Sequence, residues 1–301
     1  MKVLLFGATG TAGRGAALAL RDAGHSVAAL GRTDPGLPGI AFVPADIHAP
    51  DLAGHRAGAV VSCLASRSGA PADAWAIDHA AHLAILRAAE AAGIPRFVLV
   101  SAICVQKPRL AFQHAKLAFE AALRASPLDW TIVRPTALFK SLSGQLDRLR
   151  TGKPYLLFGD GRLTATKPIS DRDLGRYIAA CLADPATRGR ILPIGGPGPA
   201  LTPRRMGAAL FDALGLPPRY RRVPPDLLRG IAGALRLAGQ RDRAELARIG
   251  HYYATESMLV WDGARYDAQA THEFGSDTLE AHYRALAAGR VTLDRGAHAV
   301  F

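Results

Sequence analysis

The stretch Lys2 to Phe6, followed by Gly7-Ala8-Thr9-Gly10-Thr11-Ala12-Gly13 and then Arg14 to Ala23, constrains this chain more than any other. An apolar strand runs into three glycines spaced three apart, and an Ala/Leu-rich helical pattern follows at once. That succession is the context a nucleotide-binding turn requires. Gly7 lets the strand turn sharply, Gly10 removes the side chain that would keep a pyrophosphate off the backbone, and Gly13 lets the helix pack close to the strand. The helix start then offers unpaired N–H groups and a positive dipole end to phosphates. Gly7, Thr9, Gly10, Thr11, Ala12 and Gly13 are therefore the candidate phosphate-binding residues.

Composition narrows the class. A chain of 301 residues, 49% hydrophobic and 21% charged, can bury a full core. No apolar run reaches the roughly 18 residues of a membrane span. Lys2 precedes an apolar run, as in a signal peptide, but the glycines and Arg14 interrupt it, so this start reads as strand and loop. Cys63, Cys104 and Cys181 are isolated, which indicates neither a disulfide framework nor a zinc site and fits a reducing cytoplasm; no metal site is assigned. The net charge of +12 comes from scattered residues without a nucleic-acid motif. A basic surface for an acidic or membrane-borne substrate accounts for it equally well. Only six of the 37 basic residues are lysines, and five of them lie between Lys107 and Lys167. Lysine is a compact point charge, so the middle of the chain is where ammonium groups are concentrated.

Strand-like runs alternate with helical patterns in the rhythm of an open parallel sheet. Strands are expected at Ser26 to Leu30, Ile40 to Pro44, Ala59 to Ala65, Arg96 to Ser101 and Trp130 to Arg134, and a long helix at Ala72 to Ala92. With the first strand, six fill residues 1–137, so the fold class is α/β, a Rossmann-type doubly wound parallel sheet. Residues 138–301 read as a smaller substrate-binding lobe with elements returning to the core. Ligands belong at the carboxyl ends of the strands. Arg32, where NAD-specific folds carry an acidic residue, stands ready for a 2′-phosphate and favours NADPH. Asp46 reads either as a partner of the adenine amino group or as a cap on the next short helix. Cys63 and Leu64, among small residues ending the fourth strand, let a cofactor lie across it. Ser101 and Pro135, at the ends of the fifth and sixth strands, complete the cofactor set.

The chemistry is expected in Ser101 to Lys116. Pro108 suits a first helical turn, which would put Arg109, Phe112 and Lys116 on one face and turn His114, read as structural, to the other. The Gly-rich start and strand order resemble the short-chain dehydrogenase/reductase superfamily. There a Tyr-x-x-x-Lys pair occupies this helix, the tyrosine protonating a carbonyl oxygen and the lysine holding the nicotinamide ribose. Here the pair is Phe112-x-x-x-Lys116. The cofactor-holding half remains and the proton donor is absent, which leaves reduction of a carbon–carbon double bond or no chemistry.

Longer runs sharpen the resemblance: Ser-Ala-Ile-Cys-Val-Gln-Lys-Pro from Ser101, Phe-Gln-His-Ala-Lys from Phe112, Arg-Pro-Thr-Ala-Leu-Phe-Lys-Ser-Leu-Ser-Gly-Gln from Arg134, Lys-Pro-Ile-Ser-Asp-Arg-Asp-Leu from Lys167 and Tyr-Tyr-Ala-Thr-Glu-Ser-Met-Leu-Val from Tyr252. They are similar to the divinyl chlorophyllide 8-vinyl reductase family along nearly the whole chain. The resemblance implies NADPH-dependent reduction of the 8-vinyl group of a divinyl (proto)chlorophyllide to ethyl, in chlorophyll or bacteriochlorophyll synthesis. Plant members carry a transit peptide, whereas this chain opens on its first strand, so a bacterial phototroph is the expected source. A vinyl group conjugated to a macrocycle accepts hydride without a carbonyl oxygen to protonate, so loss of the tyrosine hydroxyl costs this reaction less than it would a ketone reduction. Phe112 then lies against the flat pigment or in the helix core. Lys116 orients the nicotinamide ribose. The proton comes from water, Lys140 or a tyrosine such as Tyr252, and Lys140 is also placed to meet the pigment's propionate.

In the lobe, Asp171 and Asp173 read as structural, Pro193 to Pro203 as a loop, and Leu227, Ile231 and Leu235 with Arg229 and Arg236 as a basic amphipathic helix. That helix suits the core, an apolar pigment or a peripheral contact with the photosynthetic membrane. His251 is conceivable as an axial ligand of the pigment's magnesium but is not assigned. The sequence carries no signal for an oligomeric state. The alternative to an enzyme is a non-catalytic NADP-binding regulator or assembly factor, which would need only the glycine turn and Arg32.

Overall fold

The computed structural model describes residues 1–291; the end of the 138–301 lobe, residues 292–301, lies outside the described residues. In chain order the main elements are β1 (Lys2–Phe6), α1 (Thr11–Asp22), β2 (Ser26–Gly31), β3 (Ala41–Pro44), β4 (Ala59–Ser62), α2 (Pro71–Ala74), α3 (His82–Ala91), β5 (Arg96–Val100), α4 (Ala111–Ala125) and β6 (Asp129–Pro135). They continue with α5 (Leu146–Arg150), β7 (Tyr155–Phe158), α6 (Asp171–Ala183), β8 (Arg190–Gly195), α7 (Pro203–Leu214), β9 (Tyr220–Val223), α8 (Asp226–Leu237) and α9 (Arg241–Thr255). Between α2 and α3 the chain makes a π-helical turn, Trp75–Ala81. Two compact units result: residues 1–66, 71–135 and 171–194 form the first, and residues 67–70, 136–170 and those from 195 onward form the second.

In the first unit seven strands run in the order β8-β6-β5-β4-β1-β2-β3, every neighbouring pair parallel. The order reverses between β1 and β4, which is the switch point where such sheets hold ligands. β1, β4 and β5 are buried nearly throughout, so they read as continuous apolar runs instead of alternating ones. Phe6, Phe97, Phe119 and Ile85 centre the core on one sheet face, each worth roughly 1.5–3 kcal/mol of burial. On α1 and α6 the packing is closer than ordinary side chains allow. A Cβ on Gly15 would meet the Asp171 carbonyl oxygen at 2.0 Å, and one on Gly175 the Gly15 carbonyl oxygen at 2.2 Å.

From beyond residue 137, a seventh strand, β8, and the helix α6 join the first unit. Two expectations are corrected. Pro193 to Gly195 is strand, because Pro193 and Ile194 pair in register with Arg134 and Pro135, and the loop starts only at Gly196. The helix expected over Ala72 to Ala92 is interrupted by the π turn. In the second unit, Phe139, Leu146, Leu157, Leu210, Phe211 and Tyr283 form a separate core, β7 and β9 pair in parallel, and the Tyr283 hydroxyl donates to the Leu142 carbonyl at 2.8 Å.

Candidate active site

The glycine turn is built as its sequence requires. Gly7 sits at φ +83°, where a side chain is strained, and a Cβ there would strike the backbone of Cys63 and Leu64 at 2.7–2.8 Å. The turn and the end of β4 thus lie against each other, and Cys63 N–H donates to the Phe6 carbonyl at 2.9 Å. A Cβ on Gly13 would fall 2.0 Å from the Gly7 carbonyl oxygen, which seats α1 on β1. Gly10 differs from both. It has φ −80° as the N-cap of α1, with no side-chain cap, and a Cβ there would meet nothing nearer than 3.4 Å. Neither conformation nor internal packing demands glycine at this position. The space is left open just in front of the first N–H groups of α1, which have no acceptor within the helix. An open cradle beside a helix N-terminus fits the pyrophosphate of a dinucleotide.

Arg32, just past β2, is exposed, and its loop is tied to α1 by Arg14, whose guanidinium donates to the Pro35 carbonyl at 3.1 Å. Asp46 is exposed too, and one carboxylate oxygen accepts from His48 N–H at 2.9 Å; residues 47–49 form a turn, so the short helix expected for it to cap is absent. Burial pushes the Cys63 thiol up to about 12, so it stays protonated and lines the switch point without acting as a nucleophile.

α4 starts at Ala111, later than Pro108 suggested, because the Gln113 side chain caps it. Its Oε1 accepts from the Arg109 and Leu110 N–H groups at 2.7 and 3.0 Å, and its Nε2 donates to the Cys104 carbonyl at 3.0 Å. Arg109 therefore precedes the helix and does not share the Phe112–Lys116 face. Phe112 is buried and His114 exposed. Three polar residues at helical spacing, Gln113, Lys116 and Glu120, are all buried. Glu120 accepts from the Ser101 hydroxyl at 2.6 Å and pairs with the Arg134 guanidinium, so the Ser101 hydroxyl is engaged by the protein itself. Pro135, buried, closes β6 beside it.

Lys116 has a partner that the sequence reading missed. Its Nζ lies 2.9 Å from Asp78 Oδ1, and that oxygen also accepts from Ser66 N–H at 3.3 Å. Asp78 sits in the π turn with its side chain fully buried. His82, one turn on, accepts from or donates to the Ser62 hydroxyl through Nε2 at 2.9 Å and meets the Ile77 carbonyl through Nδ1 at 2.9 Å. Its ring also packs on Phe119, 4.8 Å between centroids. Burial pulls the His82 pKa down to about 4, which leaves a neutral ring. The signal for this pair was present: Asp78 and His82 share the stripe of Ala74, Ala81, Ile85 and Ala89, where polar residues are out of place.

Lys140 lies in the second unit, half-buried in a short 3-10 turn, Phe139–Leu142. Tyr252 is also there, buried to 3% exposure, and His251 stands 3.8 Å from the Asp226 carboxylate. No group of three or more potential metal ligands occurs among the described residues.

Comparison with known proteins agrees with this geometry. The NAD(P)H-binding family profile matches residues 7–185. The fold matches that of leucoanthocyanidin reductase from Vitis vinifera in its binary complex with NADPH, with a TM-score of 0.71 and 17% identity over 96% of this chain and 100% of that one. Two chloroplastic divinyl chlorophyllide a 8-vinyl-reductases, from Oryza sativa subsp. indica and Zea mays, are 42% and 41% identical over 99% of this chain and 82% of their own length. With similarity of that degree across nearly its whole length, and with the NAD(P)H-binding core in place, this chain belongs to the divinyl chlorophyllide a 8-vinyl-reductase family.

Proposed function

We propose that this protein is an NADPH-dependent oxidoreductase that converts the 8-vinyl group of a divinyl chlorophyllide to ethyl in chlorophyll or bacteriochlorophyll synthesis. The observation that carries this reading is the face of α4. Lys116 is kept and its Nζ is held at 2.9 Å by Asp78, while the place of a proton-donating tyrosine is taken by Phe112. NADPH, when bound, supplies the hydride. The chain's part is to hold and orient. The glycine turn Gly7–Gly13 takes the pyrophosphate, Arg32 the 2′-phosphate, and Cys63, Leu64, Ser101 and Pro135 line the strand ends across which the nicotinamide half extends. Lys116 directs its ammonium to the nicotinamide ribose, and Phe112 offers an apolar surface to a flat pigment. One proton per turnover must reach the carbon that does not receive hydride, and Lys140 is our candidate to donate it.

The finer setting is part of the same proposal. The substrate is a tetrapyrrole, and the protein works in the cytoplasm of a bacterial phototroph in peripheral contact with the photosynthetic membrane. Support for the contact comes from α8, where Leu227, Ile231 and Leu237 are 52%, 41% and 93% exposed beside exposed Arg229 and Arg236. Among the described residues no helix is long and apolar enough to cross a membrane.

The test is to incubate the purified protein with divinyl chlorophyllide a and either NADPH or NADH, following the pigment by absorption and chromatography. Conversion to the monovinyl form with NADPH, and much slower conversion with NADH, is expected. Binding of NADPH with the pigment unchanged would favour the regulator instead.

A further inference from the structure

Lys116 is a buried ammonium of the first unit, and a long flexible side chain needs something to aim it. The Asp78 carboxylate meets it at 2.9 Å with its side chain wholly buried, and Lys116 is itself only 10% exposed. The second oxygen, Asp78 Oδ2, is buried without a hydrogen-bond partner. A carboxylate in that state is costly to keep unless it is paired. The fold uses a π turn to bring it there. π turns insert one residue into the helical register, rotate the helix beyond them, and recur at functional sites. This one is braced by His82, which joins the Ile77 carbonyl inside the turn to Ser62 at the end of β4. A strand end at the switch point, the π turn and α4 are thereby tied into one unit around Lys116 Nζ.

We infer that Asp78 is the positioning residue of the cofactor site. Its carboxylate fixes the Lys116 ammonium in charge and direction, so that the remaining N–H groups of Lys116 are aimed at the nicotinamide ribose. This rests on Lys116 serving the nicotinamide half of the cofactor, the reading given above. Asp78 acts through Lys116 and touches neither hydride donor nor pigment. A partner fixed by the protein matters more here than in relatives with a tyrosine, because Phe112 offers Lys116 no hydroxyl against which to settle.

The test separates the two halves of the cofactor by equilibrium binding, with NADPH and with adenosine 2′,5′-bisphosphate, a fragment that lacks the nicotinamide ribose. Lys116→Met should weaken NADPH about tenfold, the worth of one or two charge-assisted hydrogen bonds, and leave the fragment unchanged. Asp78→Asn, which keeps the shape and removes the charge, should do the same, and Asp78→Glu should restore most of the loss. If Lys116→Met leaves NADPH binding intact, the role of Lys116 is wrong. Should Lys116→Met weaken NADPH while Asp78→Asn does not, or should Asp78→Asn weaken both ligands alike, the inference about Asp78 is overturned. The double variant Asp78→Asn/Lys116→Met, neutral as a pair, guards against a single variant that does not fold. It should bind NADPH as Lys116→Met does, and a further loss would show that Asp78 acts by another route.

Discussion

The glycine turn and the Asp78–Lys116 pair, both proposed above to serve one cofactor, are built in opposite ways. The turn works through backbone: Gly7 and Gly13 are needed by the protein's own carbonyls and by Cys63 and Leu64, whatever is bound. The pair works through side chains that are 38 positions apart in sequence and meet only because a π turn, His82 and α4 are already in place. A site made of backbone is fixed as soon as one strand, one turn and one helix form. A site made of buried charges exists only once the surrounding core has closed. Substitution at Gly7 or Gly13 should therefore cost the fold outright, whereas substitution at the pair should cost stability and binding by degrees.

Gly13→Ala should have the largest effect. A Cβ 2.0 Å from the Gly7 carbonyl oxygen cannot be absorbed by rotating a side chain, so α1 must leave β1, at a cost of at least about 3 kcal/mol. The variant should be recovered largely unfolded, or with a thermal midpoint lower by many degrees. A normal midpoint would mean that the seat of α1 on β1 is not what glycine is for. Lys116→Met comes next. It leaves the Asp78 charge buried and alone, which typically costs about 3–5 kcal/mol, and denaturant titration should read that loss. Adding Asp78→Asn should recover much of it, because the stranded charge is then gone.

What the sequence disclosed obeys the same division. The turn and the succession of β1 to β6 along the chain were legible because each depends on neighbours close in sequence: apolar runs, glycine spacing and helix stops. Three features were not. β8 was hidden by Pro193, which cannot donate to a ladder, and only its pairing with β6 makes it a strand. The start of α4 depended on Gln113 capping in place of Pro108. The π turn breaks no propensity rule in Trp75 to Ala81, and the groups that meet it and the adjoining His82, namely Lys116 and Ser62, stand on other elements. In the candidate cofactor set, the commitment of the Ser101 hydroxyl to Glu120 is a contact between distant positions that strand ends alone do not disclose.

His82 gives a pH measurement on the side-chain region. Its folded pKa near 4 lies below the usual value of about 6.5, so the unfolded chain takes up the proton first. The stability held by a neutral His82 is complete above about pH 6.5 and is lost as pH falls toward 4, on the order of 3 kcal/mol in all. Denaturation curves between pH 7 and 4 should show that slope, and His82→Gln should remove it. An identical slope in the variant would assign the acid sensitivity elsewhere.

Arg32→Asp moves the comparison from stability to selectivity. Arg32 is exposed, so the fold should melt as before. Binding of NADPH should weaken at least tenfold relative to NADH, because a partner for the 2′-phosphate is replaced by a like charge. Parallel losses for the two cofactors would remove Arg32 from the site.

Gly10→Ala is the smallest change and the sharpest test, since it separates what glycine does for the fold from what it does for the ligand. The backbone at Gly10, φ −80°, suits any residue, and a Cβ would rest 3.4 Å from the Gly7 carbonyl oxygen. Alanine is a poorer N-cap than glycine, so stability should fall by no more than about 1 kcal/mol, against the collapse expected at Gly13 three residues on. Yet the methyl group would occupy the opening in front of the α1 N–H groups. If that opening holds pyrophosphate, both NADPH and NADH should lose affinity by a similar factor, read by titration of a protein whose thermal midpoint has hardly moved. Unchanged affinity for both would mean that the phosphates lie elsewhere, and that the middle glycine of the motif carries no burden of its own in this chain.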